Sequence, residues 1–309
     1  MWQTRFVRIG RRLHEAAANA AWIQWQALGA QTAARAPTAT VDPEALVLFS
    51  LWLGDDERRV RDFLYGFAQQ SSRLMSVQRL KRAMRLFPAD AAERVGTFAA
   101  TVANVGRDPR WHKLAGESAA ILGRPGKVTA ASINLGQPAS LMLRLRTAFG
   151  VDVRTDTLAY LIGLNGVWAD VKRISDALLY AKFSVRGACE ALADARLIQY
   201  RSGRPATYYA DRKRWGALLA HRNPAAWHPW MKLYPLVLRL LQWLRGDGAA
   251  AESDSLSASL AREFMLEHGD ILQELELTVP DGRDHRGEAY LPVFERSVSG
   301  LTEWLDGNA

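Results

Sequence analysis

The chain has 309 residues, of which 49% are hydrophobic and 23% charged, with 11 tryptophans and a net charge of +8. This composition excludes a disordered or low-complexity chain and leaves room for two or three folded domains. A sequence pI near 9.8 favours a polyanionic partner, and a single cysteine, Cys189, excludes an internal disulfide and fits a reducing compartment, so a cytoplasmic location is expected.

The charge is unevenly spread: residues 1–150 carry +10, residues 151–230 carry +5 and residues 231–309 carry −7. The first two thirds suit an anionic partner, whereas the acidic end would be repelled by one and suits dimerisation or effector binding. No apolar run approaches the roughly 20 residues that a membrane span requires, and no membrane association is expected. The arginines at 5, 8, 11 and 12 precede an Ala-rich stretch, but Asn19, Gln24 and Gln26 interrupt the apolar core that a signal peptide would need.

The first helix is expected to reach about Leu28, with Phe6, Ile9 and Leu13 at helical spacing. Residues 30–43 read as a linker rich in Ala, Thr and Pro, closed by Asp42-Pro43, a good helix start. ALVLFSLWL reads as a buried helix, and DDERRVRDFLYGFAQQ as one with acids in its first turn. After SSRLM, Ser76 is expected to cap VQRLKRAMRLF, which ends before Pro88. Gln78, Arg79, Lys81, Arg82 and Arg85 crowd this helix opposite Val77, Leu80 and Met84. Arg79 and Arg82 therefore stand as additional candidates for DNA contact, against the simpler reading of a solvated basic face.

From Ala89 to Leu122 the pattern is helical, with a loop at GRDP. The segment GRPGK at 123–127 lacks the glycine spacing and the Ser or Thr of a phosphate loop, and reads as a plain loop. PASLMLRLRTAFG, 138–150, places Leu141, Leu145 and Phe149 at four-residue spacing, a helix ending at Gly150.

Residues 154–163 predict a support helix with Leu158, Leu161 and Ile162 on one side, and residues 171–178 a second with Val171, Ile174 and Leu178 inward. The turn LYAKF follows, and Ser184 is expected to cap VRGACEALADARL, whose Val185, Cys189 and Leu192 face the core. Cys189 is thereby expected to be a small buried residue rather than a redox centre. The other face offers Lys182, Arg186, Gly187 and Glu190. Arg186 can pair with a guanine edge, Gly187 allows close approach, and Ser184 and Lys182 suit backbone phosphates. LIQY, 197–200, and ATYYA, 206–210, read as strands around RSGRP, with Arg201 and Arg204 at the tip, suited to a minor groove or the backbone. Lys172 and Arg173 are additional candidates.

With ISDALLYAKFSVRGACEALADARLI followed by YRSGRPATYYA, residues 151–220 resemble the bacterial winged helix-turn-helix regulators, broadly the MarR-like and ArsR-like superfamily. The resemblance covers under a quarter of the chain and rests on pattern. It implies a duplex DNA-binding module, commonly a homodimer, with the helix at 184–194 as reader.

After a turn rich in Trp and Pro, LVLRLLQWL is expected to be helical to Arg245, and GDGAAAESDSLSAS a flexible linker. Two acidic amphipathic helices, LAREFMLEHGDILQELEL and YLPVFERSVSGLTEWL, then flank a polar loop. The six histidines form no HExxH pair and have no Cys partners at zinc spacing. The groups Glu267, His268, Asp270 and Asp281, Asp284, His285 read as solvated clusters rather than metal ligands. No enzyme constellation, cofactor or metal is expected.

The sequence thus predicts a mainly α protein. Its parts are a helical region at 1–150, a winged helix-turn-helix with a β-hairpin wing at 151–220, and an acidic α-rich region at 221–309 for dimerisation or an effector. The expected function is a sequence-specific transcription regulator of the repressor type. The rival readings are a winged-helix protein adaptor, or an enzyme or toxin-system component that uses the winged helix as a tether to nucleic acid.

Overall fold

In the computed structural model the described residues are 2–31, 35–117, 120–122, 133–219 and 225–309. They are mainly helical, with one three-stranded antiparallel sheet. The 123–127 loop lies outside them.

The chain divides into two compact units, Met1–Ala21 with Lys232–Ala309, and Trp22–Met231, rather than three consecutive segments. Helix α1, Trp2–Ala27, contributes to both, as does a later helix that begins at Trp230.

In the larger unit, α2 (Pro43–Leu53) starts as the sequence predicts: Asp42 accepts the Ala45 N–H and Pro43 fills the first turn, where its missing N–H costs nothing. The acids Asp55, Asp56 and Glu57 precede α3 (Arg58–Gln70) instead of forming its first turn. Ser76 caps α4 (Val77–Ala83) by accepting the Arg79 N–H. Next come α5 (Ala91–Asn104) and the short α6 (His112–Ala115). The chain preceding α2 is pinned rather than free: Thr40 N donates to the Ala226 carbonyl at 2.7 Å, and the Trp230 indole donates to the Thr40 carbonyl at 3.0 Å.

Helix α7 (Leu141–Phe149) buries Leu141 and Leu145, but Phe149 is 61% exposed, because the helix ends there and its last side chain passes beyond the core. The remaining elements of this unit are α8 (Val153–Gly163), β1 (Ala169–Asp170), α9 (Val171–Leu178), α10 (Lys182–Asp194), β2 (Gln199–Arg201), β3 (Thr207–Tyr209) and α11 (Arg212–Leu218). The sheet order is β1-β3-β2, with Ala169 opposite Tyr208 and Tyr200 opposite Tyr208 from the other side. One core joins Leu145, Leu158, Ile174, Val185, Cys189, Tyr208 and Trp215, so it takes in α7 and does not begin at residue 151. Burial of each such aliphatic or aromatic side chain contributes about 1.5–3 kcal/mol.

The smaller unit is built from the first part of α1, α12 (Trp230–Arg245) from Lys232 onward, α13 (Asp247–Ala250), α14 (Asp254–His268), α15 (Asp270–Glu274) and α16 (Tyr290–Asn308). Helix α12 starts earlier than the sequence predicts and carries Pro235 within it. The stretch 246–259 is largely helical rather than a flexible linker: Ser253 caps α14 by accepting the Leu256 N–H, and Ala258 is buried. Phe6, Trp243 and Phe294 meet edge-on, with centroids 5.0–6.2 Å apart, and Arg5 pairs with Glu295. No helix among the described residues is long and apolar enough to cross a membrane.

Candidate nucleic-acid interface

Helix α10 places its two faces by period alone. Val185, Cys189 and Leu192 return to one side and are buried, leaving Lys182, Phe183, Arg186, Gly187 and Glu190 exposed. Cys189 is fully buried; the apolar surroundings first, and the Glu190 charge second, push its thiol up to about 12, so it is a packed residue and not a reactive one.

The start of α10 differs from expectation. The helix begins at Lys182, three residues early, with Ala181 in the N-cap position and no side-chain cap. Ser184 therefore lies inside the first turn, exposed, and caps nothing. Arg201 is likewise not at the tip of the hairpin. It sits in β2, and its guanidinium lies 4.3 Å from the Trp168 ring centroid, while Trp168 stacks on Tyr209 at 5.2 Å. This layered contact braces the hairpin. Arg204 is exposed in the turn as expected.

Between the outward face of α10 and the hairpin runs an open cleft of about 810 Å³. Lys172, Lys182, Arg186 and Arg204 supply its cations, and Asp170, Glu190 and Asp194 its carboxylates. Lys172 is held by Asp176 at 2.9 Å, one turn on. Arg173 is exposed at the start of α9, where Asp170 caps its N–H at 2.7 Å.

The other two candidates from the sequence are engaged inside the fold. Arg79 is 0% exposed and is no DNA contact: it pairs with Asp42 at 2.6 Å and with Glu44, and donates to the Leu178 carbonyl at 2.9 Å. Half-buried Arg82 donates to the Leu179 carbonyl at 2.9 Å. Both arginines thereby grip the turn between α9 and α10, where Leu179 adopts a left-handed φ of 57°.

Around Arg79 lies a buried ionic cluster. Arg146 binds Asp156 through paired 2.8 Å contacts and Glu44 at 2.7 Å, and the Tyr180 hydroxyl donates to Asp156 at 2.8 Å. Burial alone would raise the Asp156 carboxyl, but Arg146, then Arg79 and Tyr180, outweigh it and hold it below its ordinary value. Burial would lower the Arg79 guanidinium, and Asp42 and Glu44 overcome that as well. The cluster thus joins the start of α2 with α4, α7, α8 and the turn before α10. Sequence reasoning could not find it, because Asp42 and Glu44 stand 37 and 35 residues from Arg79.

Phe183 is the functional candidate that sequence reasoning missed, at 89% exposure. The signal was available: two residues before Val185, it falls on the opposite side of a helix with 100° per residue. Among the described residues, no group of His, Cys, Asp or Glu is arranged to hold a metal. Comparison with protein-family models, with curated proteins and with solved structures yields no match.

Proposed function

We propose that residues 151–220 are a winged helix-turn-helix that binds duplex DNA, and that the protein is a sequence-specific transcription regulator. The observation that carries this reading is the order α8-β1-α9-α10-β2-β3, with α10 and the β2-β3 hairpin enclosing an open cleft that holds Lys182, Arg186 and Arg204. In this reading α10 enters the major groove, Arg186 pairs with a guanine edge, and Lys182 with Arg204 neutralises phosphates beside it. The carboxylates of Glu190 and Asp194 oppose a phosphate backbone, so they belong toward the bases, where Glu190 can accept from a cytosine amino group. Repression, a cytoplasmic site of action and a homodimer assembled through the acidic residues 231–309 complete the proposal.

The test is fluorescence-anisotropy binding to the upstream region of the protein's own gene and to a scrambled duplex, for wild type and Arg186→Ala. Wild type should prefer its own sequence, and Arg186→Ala should lose about 1–3 kcal/mol of that discrimination. Equal, weak binding to both duplexes, unchanged by the substitution, would remove the regulator reading and favour a protein adaptor, whose partner would have to match the mixed charges of the cleft.

A further inference from the structure

Two features of α10 have no partner among the described residues that accounts for them. Phe183 is the most exposed of the large apolar side chains among the described residues, at 89%. Gly187, one turn later, costs about 1 kcal/mol relative to alanine in a helix interior. Gly163 shows what an internal reason looks like: a Cβ there would stand 3.0 Å from the Cβ of Trp227. At Gly187 an added Cβ meets nothing within 4 Å, and no positive φ requires a glycine. Both residues lie opposite the buried Val185 and Cys189, on the face that an external surface would approach.

We propose that Phe183 packs against the C5-methyl group of a thymine in the major groove, with Gly187 admitting the helix axis close to the adjoining base pair. The inference rests on the DNA-binding reading and deepens it: α10 selects a thymine through Phe183 beside the base that Arg186 reads. The surroundings favour a duplex over a protein surface. Exposed Phe183 is flanked by Lys182 and Ser184, with Arg186 one turn on, and by no second large apolar side chain of α10, whereas a protein interface requires a contiguous apolar core. A thymine methyl presents the isolated apolar target in a polar, anionic setting that this arrangement matches.

The experiment begins with selection from a randomised duplex pool by the full-length wild-type protein. Anisotropy titrations follow on the enriched duplex and on versions in which each thymine in turn is replaced by deoxyuridine, which removes only the methyl group. At one position the replacement should weaken wild-type binding about three- to fivefold, the effect of exposing one methyl. Phe183→Ala should bind the thymine duplex more weakly and show no response to the replacement, while Phe183→Leu should keep part of it. Wild-type indifference to every replacement, or an unaltered response in Phe183→Ala, would overturn the thymine contact while leaving DNA binding intact. Failure of wild type to enrich any sequence would overturn both readings.

Discussion

Arg79 shows why a basic residue on a basic helix need not face solvent. Its guanidinium is matched by Asp42 and Glu44 in a fully buried site, and Arg146 with Asp156 extends the match. Substituting Arg79→Met would strand buried carboxylates, and the expected loss is about 3–5 kcal/mol in urea denaturation; a loss under about 1 kcal/mol would mean that water reaches the site. Acid should dissolve the same cluster: Asp156 is held below 3.8, so its contribution is complete above that pH and disappears as pH falls below it. His228 acts in a different window. Burial pushes it down to about 4 from 6.5, so the unfolded chain takes up a proton there that the folded chain refuses. Stability should therefore decline as pH falls from 6.5 to 4, by at most about 3 kcal/mol, and His228→Gln should flatten that decline.

At the scale of elements, α10 and the turn before it connect stability to recognition. Because nothing surrounds the missing Cβ, Gly187→Ala should raise stability by about 0.5–1 kcal/mol in denaturant melts while weakening DNA binding. Gain in both would show that no partner approaches that face. Arg82→Ala removes the donor to the Leu179 carbonyl and should destabilise the fold by about 1 kcal/mol. With Arg82 engaged at the turn, the variant is expected to weaken DNA binding without changing its salt slope, which a set of titrations at different salt concentrations measures directly. The buried face of α10 and the hairpin were legible because their periods are local: Val185, Cys189 and Leu192 are a 3.6-residue repeat, and the strands bracket a Gly-Pro turn. Features set by distant partners were not legible. Arg201 adjoins the Gly-Pro turn in sequence, but its place is set by its stack on Trp168, in the chain before β1. The Ala- and Ser-rich stretch at 246–259 reads as linker by composition, yet Ser253 caps a helix whose alanines pack.

Across the whole molecule, the charge gradient separates roles. The basic residues that line the α10 cleft belong to the unit Trp22–Met231, whereas residues 231–309 carry a net −7 and lie almost wholly in the other unit. Assembly through that acidic part predicts a sedimentation mass of about twice 34.4 kDa. A monomer mass at micromolar concentration would contradict the dimer and leave a single half-site as target. Binding of the duplex in the α10 cleft sets the salt dependence of DNA affinity, to be compared for wild type, Lys182→Ala and Arg204→Ala. Each lost phosphate contact should lower the slope of log affinity against log salt by about 0.9. Slopes identical to wild type in both variants would place the duplex elsewhere or exclude it.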